Sequence, residues 1–127
     1  ETAPCQVAAI EALEGPQDHL KYMVEQYRLR RDYVMRRISE IPGLSCHAPA
    51  GTFYAFIDIS QLGMPCEEFA MKLLEERQVV VVPGTAFGEF GEGYIRLSYA
   101  TSMQCLEQGL QELEEFVRSH KTEGDPA

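Results

Sequence analysis

The sequence has no apolar run near the ~20 residues that a bilayer-spanning helix needs, and it has little positive charge. Its N-terminus lacks the basic region and following apolar stretch that are typical of a signal peptide. There are 11 Lys and Arg against 20 Asp and Glu, which gives a net charge of −9. Because contacts to phosphates need a basic surface, the sequence predicts no nucleic-acid partner, and it predicts no membrane partner.

Motifs for metal binding, redox chemistry and covalent catalysis are also missing. The four cysteines and three histidines are scattered, so we expect reduced thiols, a cytoplasmic protein and no metal site. No Ser, His and Asp stand in a context that suggests a catalytic triad. Lys21 and Lys72 lie on predicted helices and Lys121 in the tail, without the sheltered setting that lowers a lysine pKa. This chain alone is therefore predicted to perform no covalent catalysis.

What the chain does have is enough apolar sequence for one domain. It contains 127 residues, of which 45% are hydrophobic, and shows no internal repeat or linker. We predict a single domain over 1–127, with 121–127 as a polar tail. The chain begins at Glu1 without a methionine, so we expect it to be a piece of a longer protein.

Periodicity and turn signals predict alternating helices and strands. The helices are predicted over 5–14, 16–41, 65–77, and from a capping-box pattern at 101–104 to about 117. The last helix has an apolar stripe at three- and four-residue steps, formed by Met103, Leu106, Leu110, Leu113 and Val117. The strands are predicted over 44–48, 53–59, 79–82 and 94–100, with 79–82 central or covered on both faces. This order predicts an α/β two-layer (α+β) domain, with helices packed on one face of a small, largely antiparallel sheet.

The second predicted helix is long and basic. At 1.5 Å per residue it would extend roughly 37 Å, so we expect part of it to pack against something outside this chain. It carries most of the basic residues, namely Lys21, Arg28, Arg30, Arg31, Arg36 and Arg37. A solvated face paired with acidic groups is the favoured interpretation, and a docking surface for another domain or subunit is the alternative.

Arg96 lies at the centre of the predicted strand 94–100. Alternation places it with Tyr94 and Ser98 on one face, and Ile95 and Leu97 on the other. A guanidinium presents a fork of donors that matches a carboxylate in two parallel hydrogen bonds. Spacing alone favours an exposed face or a salt bridge within the domain. A bound acidic ligand is the other alternative.

The preceding loop, 83–93, is rich in glycine and contains two phenylalanines. Its spacing is neither the dinucleotide fingerprint nor a phosphate loop, and its two glutamates would repel phosphate. It fits a flexible wall beside a small-molecule site, and it fits a simple connector equally well.

Three stretches together resemble one family. They are APCQVAAIEALEGPQD (3–18), PAGTFYAFIDIS (49–60) and VVVVPGTAFGEFGEGYIRLSYATS (79–102). In this order they are similar to the C-terminal small domain of pyridoxal-phosphate-dependent aminotransferases of fold type I, the aspartate-aminotransferase-like class. The resemblance covers nearly the whole chain. It implies that 1–15 is the segment that joins the large domain to the small one.

The resemblance also implies a function. The arginine that matches Arg96 binds the α-carboxylate of the substrate, while Gly51, Thr52 and Phe87 would line the site near its entrance. In the family, pyridoxal phosphate and its Schiff-base lysine belong to the large domain, which is absent here. The parent would be a homodimer that interconverts an amino acid and a 2-oxo acid, and this piece alone would be inactive.

Three alternatives remain open beside the resemblance. The first is another fold type I enzyme, such as the class II acyltransferase-like branch. The second is a freestanding module that binds a carboxylate or has a regulatory role. The third is an interaction domain that docks through the basic helix.

Overall fold

The computed structural model describes residues 2–120 of the chain. Within this range there are four α-helices and four β-strands. The helices are α1 (Ala3–Glu14), α2 (Asp18–Glu40), α3 (Cys66–Arg77) and α4 (Met103–His120). The strands are β1 (Ser45–Cys46), β2 (Tyr54–Asp58), β3 (Val82–Pro83) and β4 (Tyr94–Ser98). The predicted polar tail, 121–127, lies outside the described residues.

The strands form one antiparallel sheet in the order β1-β2-β4-β3. The pairing of β2 with β4 places Phe56 opposite Arg96 and Ile57 opposite Ile95. On its other side β4 pairs with β3, which places Val82 opposite Arg96. Arg96 therefore lies in the middle of a central strand, with a hydrogen-bonded strand on each side.

One face of the sheet is buried by helices. Ala55 and Ile57 of β2, with Ile95 and Leu97 of β4, have at most 7% of their surface exposed. These side chains join one core with apolar side chains of three helices, including Val34 and Ile38 of α2, Phe69 and Leu73 of α3, and Leu110, Leu113 and Phe116 of α4. No helix within 2–120 covers the opposite face, where the Phe56 side chain is 40% exposed. The predicted two-layer α+β architecture is confirmed.

The predicted strands are longer than the observed ones, and one prediction of position is wrong. The run 79–82 was expected to be central or covered on both faces, but only Val82–Pro83 is a strand, and it lies at the edge of the sheet. Val81 is 7% exposed and Val80 is 74% exposed, because neighbouring side chains of an extended segment point to opposite faces and helices cover only one of them. At the other edge, the strand predicted over 44–48 is reduced to Ser45–Cys46.

The last helix begins at Met103, and its capping residue lies one position later than the capping-box pattern predicts. The hydroxyl oxygen of Ser102, not that of Thr101, accepts a hydrogen bond from the backbone N–H of Cys105 (3.2 Å). Ser102 is therefore the residue that satisfies a free donor in the first turn. The predicted apolar stripe is confirmed. Leu106, Leu110, Leu113 and Val117 are buried and Met103 is partly buried.

The first part of the chain contrasts with this core. α1 has no buried residue, and the buried residues of α2, Val34 and Ile38, both lie in its C-terminal half. Seven large apolar side chains of α1 and the first half of α2 are 49–83% exposed, and we call them the N-terminal apolar surface: Val7, Ile10, Leu13, Leu20, Tyr22, Met23 and Val24. No helix within the described residues is both long and apolar enough to cross a membrane.

Candidate functional site

The open face of the sheet carries Arg96. β4 alternates as predicted, with Ile95 and Leu97 in the core and Tyr94, Arg96 and Ser98 on the open face. The Arg96 side chain is half-buried because aromatic side chains rise beside it from the neighbouring strand and from the glycine-rich loop.

Two aromatic rings flank the Arg96 guanidinium. Its central carbon lies 4.2 Å from the ring centroid of Tyr54 and 4.6 Å from that of Phe87. Tyr54 reaches it diagonally across the sheet, since Tyr54 is paired with Ser98, two residues along β4. Phe87 reaches it from the 3₁₀ turn Gly84–Phe87. Cations at this distance from an aromatic ring are attracted by the negative face of the π-system.

Within residues 2–120, the Arg96 side chain forms no ion pair and no hydrogen bond, although the chain has 20 acidic residues. By contrast, Arg28, Arg31, Arg37 and Arg77 each contact a carboxylate. None of the Arg96 nitrogens is among the buried atoms that lack a partner, so its donors are reachable from solvent. The salt bridge considered above is therefore not formed within the described residues. The guanidinium edge is left available for a ligand.

The glycine-rich loop folds back on itself compactly. Gly84 and Gly91 are buried and their backbones cross so closely that a Cβ on either residue would collide with the carbonyl oxygen of the other. Only glycine permits such an approach. The crossing closes the loop into two consecutive 3₁₀ turns and places Phe87 over the sheet.

Glu92 anchors this loop to the N-terminus of α3, which the sequence interpretation did not anticipate. Its carboxylate accepts hydrogen bonds from the backbone N–H of Cys66 (2.9 Å) and of Gly93 (3.1 Å). These bonds, the one from Cys66 first, lower the pKa of Glu92 because they favour the charged carboxylate. The Thr85 hydroxyl adds a second link by donating to Glu67 of α3 (3.0 Å). Because Glu92 lies 26 residues from Cys66 in the sequence, no local pattern predicts this contact, although a carboxylate at a helix N-terminus is electrostatically favourable.

Gly51 and Thr52 lie in a different place from Arg96 and Phe87. They line a cleft of about 300 Å³ beside α2, whose walls include Arg28 and Arg31 but not Arg96. The Tyr99 hydroxyl donates to the carbonyl oxygen of Thr52 (3.0 Å), which has a left-handed φ of 65°. Removal from solvent raises the pKa of Tyr99. Of the residues predicted to line the site, the structure brings only Phe87 into contact with Arg96.

The lysines within residues 2–120 do not suit a carbonyl cofactor. Lys21 is 79% exposed and pairs with Asp18. Lys72 pairs with Glu68 (2.6 Å), and that contact raises the pKa of Lys72, which is opposite to what a nucleophilic amine needs. Lys121 lies outside the described residues. The part of the chain that the structure describes therefore does not fit pyridoxal phosphate. It also contains no cluster of His, Cys, Asp and Glu that could hold a metal ion.

The basic side chains of α2 are mostly neutralised by neighbours. Arg28 pairs with Glu25 and Arg37 with Glu114 of α4. The remaining arginines of this helix lie against Asp32, Tyr27 or Tyr33. This arrangement supports the interpretation of α2 as a solvated face paired with acidic groups.

Comparisons with known proteins identify the family. The family model "aminotransferase class I and II" matches residues 2–113, so the chain belongs to this family, which depends on pyridoxal phosphate. The putative aminotransferase YugH of Bacillus subtilis (strain 168) is 47% identical over 120 residues, which cover 94% of this chain and 30% of that protein. The aspartate aminotransferase of Pyrococcus horikoshii is 42% identical over 118 residues, which cover 91% of this chain and 30% of the relative.

Solved structures show the same fold. An alanine aminotransferase from Pyrococcus furiosus superposes with a TM-score of 0.88 at 37% identity, over 93% of this chain and 30% of the other. A putative aminotransferase from Clostridium difficile 630, described as PLP-bound, has a TM-score of 0.77 at 28% identity, over 82% of this chain and 27% of the other. The chain thus spans about 30% of the length of the curated relatives it matches.

Proposed function

We propose that this chain is the C-terminal small domain of an aminotransferase that transfers an amino group between an amino acid and a 2-oxo acid. In this proposal Arg96 binds the α-carboxylate of the substrate. The observation that carries it is the state of Arg96, a half-buried guanidinium on a central strand that has aromatic neighbours but no carboxylate partner within residues 2–120. Such a charge is stabilised when a planar anion accepts two of its N–H groups.

The arginine contributes orientation rather than bond making. A bidentate carboxylate fixes both the position and the plane of a small substrate, and so fixes where its amino group points. Because β4 is hydrogen-bonded on both sides, the backbone that carries Arg96 is rigid. A point charge on a lysine would hold the same carboxylate without fixing its plane.

The rest of the catalytic machinery belongs, in this proposal, to the part of the protein that this chain does not include. The described lysines do not suit pyridoxal phosphate, and the relatives are about three times longer than this chain. The large domain would bind the cofactor and would cover the N-terminal apolar surface, whose exposure supports such a contact. We propose further that the parent is a cytoplasmic homodimer and that this domain alone is inactive.

The alternatives have less support. An interaction domain that docks through the basic side of α2 is disfavoured by the pairing of those charges within the chain. A freestanding carboxylate-binding module would not need a long surface of exposed apolar side chains on α1 and α2. The freestanding-module alternative predicts that the isolated chain binds amino acids tightly. The aminotransferase proposal predicts that binding needs the whole protein.

The test uses the full-length protein and one variant, Arg96→Lys. The first substrate is whichever of L-alanine, L-aspartate and L-phenylalanine reacts fastest. The second is the amine that lacks only the α-carboxylate of that amino acid. We expect kcat/KM for the amino acid to fall about 10- to 100-fold, since a hydrogen bond to a charged group contributes about 1.5–3 kcal/mol. The amine should react as before.

The matched control is Arg118→Lys, at an arginine of α4 whose side chain is 70% exposed and pairs with Glu114. This change should leave both substrates unaffected. Equal kinetics of Arg96→Lys and the unaltered protein on the amino acid would overturn the assignment of Arg96.

A further inference from the structure

We propose that Tyr54 and Phe87 are positioning residues, whose rings hold the guanidinium of Arg96 so that its N–H edge meets the substrate carboxylate already oriented. This inference rests on the proposed role of Arg96 and adds two residues to it. Its basis is the pair of ring contacts at 4.2 Å and 4.6 Å from the guanidinium carbon.

The two rings approach the guanidinium from separate elements. Tyr54 stands on β2, and its ring packs against Phe53 (centroids 4.5 Å apart). Phe87 stands on the glycine-rich loop and packs against Phe56 (6.1 Å). Each ring thus has its own support, and both lie within 4.6 Å of the guanidinium carbon. A displacement of Arg96 toward either ring would press on a side chain that is already held in place.

Contacts of this kind leave the donors free. An internal carboxylate would hold the arginine as well, but it would occupy the N–H groups that a substrate needs. An aromatic face attracts the same cation through its π-electrons and accepts none of its in-plane hydrogen bonds. The long arginine side chain otherwise loses much rotamer freedom when it binds a ligand. Rings that restrict it beforehand reduce that loss.

The loop construction supports a positioning role for Phe87. The crossing of Gly84 with Gly91 and the link from Thr85 to Glu67 hold the turn that bears Phe87. On the sheet, Phe56 stacks on Tyr94 at 5.1 Å with ring planes 13° apart, which gives Phe87 a fixed surface to rest on. The Phe87 side chain is nevertheless 53% exposed, so this arrangement does not bury it in the core.

The test is a mutant cycle in the full-length protein. Tyr54→Leu and Phe87→Leu are each made with Arg96 present and in an Arg96→Leu background. With Arg96 present, we expect each change to lower kcat/KM for the amino acid roughly five-fold, mostly through KM, as loss of one cation–π contact implies. The matched amine without the carboxylate should react as before. In the Arg96→Leu background neither change should have a further effect.

Conservative variants and a nearby control separate positioning from a general structural role. Tyr54→Phe and Phe87→Tyr keep the ring and should restore the kinetics of the unaltered protein. Phe90→Leu, in the same loop but 91% exposed and without a ring contact to Arg96, should change nothing.

Each result decides between the two proposals. Ring variants that lose activity equally on the amino acid and the amine, or equally without Arg96, would overturn the positioning role. A second outcome is that the ring variants have no effect, while Arg96→Leu lowers kcat/KM for the amino acid but not for the amine. This would overturn the positioning role and leave the proposed function standing. An Arg96→Leu variant with unchanged selectivity would overturn the proposed function, and this inference with it.

Discussion

The two faces of the sheet differ in what their side chains contact. On the inner face Ile57 and Ile95 are fully buried and touch helix side chains. On the outer face Phe56 stacks on Tyr94, Arg96 and Phe56 each contact Phe87, and no helix within residues 2–120 covers them. Strand alternation sends neighbouring residues of β4 to the two faces. The inner face therefore accounts for the stability of the domain, while the outer face is organised around the charge of Arg96.

The largest loss of stability is expected from a substitution on the inner face. Ile95→Ala removes a fully buried side chain and leaves a cavity beneath the helices, so the free energy of unfolding should fall by about 2–5 kcal/mol. Phe56→Ala, at the half-exposed residue paired with Arg96, should cost less than about 1 kcal/mol. Urea unfolding of the isolated chain measures both. Similar losses at the two positions would remove the distinction between the faces.

The second prediction concerns the support of the outer face. Gly91→Ala places a Cβ against the carbonyl oxygen of Gly84, so the loop must open and stability should fall by about 1–3 kcal/mol. Gly109→Ala is the control, since it lies in α4 with open space around it. A helical glycine replaced by alanine should stabilise the protein by about 0.5–1 kcal/mol. If the two substitutions changed the free energy of unfolding in the same direction, the close crossing of Gly84 and Gly91 would be contradicted.

A third, smaller effect depends on pH. The pKa of Glu92 is lowered in the folded protein, so its stabilising contribution is present at neutral pH. That contribution is lost as the pH falls below the ordinary glutamate range and through the lowered pKa. Glu92→Gln should therefore be less stable than the unaltered protein at pH 7, and the difference should shrink in acid. Unfolding midpoints measured between pH 7 and pH 3 test this, and a difference that grows in acid would contradict the anchor at α3.

The smallest effect on the isolated chain is expected at the N-terminal apolar surface. Leu13→Ser changes a side chain that is 83% exposed, so the stability of the isolated chain should change by less than about 0.5 kcal/mol. In the full-length protein the same change should lower the thermal midpoint by several degrees, because the proposed large domain would cover this side chain. An equal, negligible effect in both proteins would show that nothing covers it.

The sequence predicted the face on which Arg96 lies, because the two-residue period of a strand depends only on local geometry. It also predicted the helix stripes, since apolar side chains at three- and four-residue steps must share one side. The strand 79–82 was misplaced because a β-branched run does not reveal whether one or two strands lie beside it. That fact depends on the order of strands in the sheet.

The ring contacts to Arg96 were beyond sequence reasoning for a similar reason. The family resemblance implies only that Phe87 lines the site, and no pattern in the sequence points to Tyr54. Their approach to Arg96 depends on the pairing of two strands that are far apart in the sequence, and on a close crossing of two glycines within one loop. Neither contact follows from a local sequence pattern. Gly51 and Thr52, selected by resemblance, lie instead in the cleft beside α2. That the remainder of the protein brings this cleft near the substrate stays a prediction.

The most direct test is a crystal structure of the full-length protein with a bound 2-oxo acid. We predict that both carboxylate oxygens lie about 2.7–2.9 Å from nitrogens of Arg96, with the Tyr54 and Phe87 rings still against the guanidinium. A carboxylate bound elsewhere, with Arg96 paired to an acidic side chain of the remaining protein, would contradict the account.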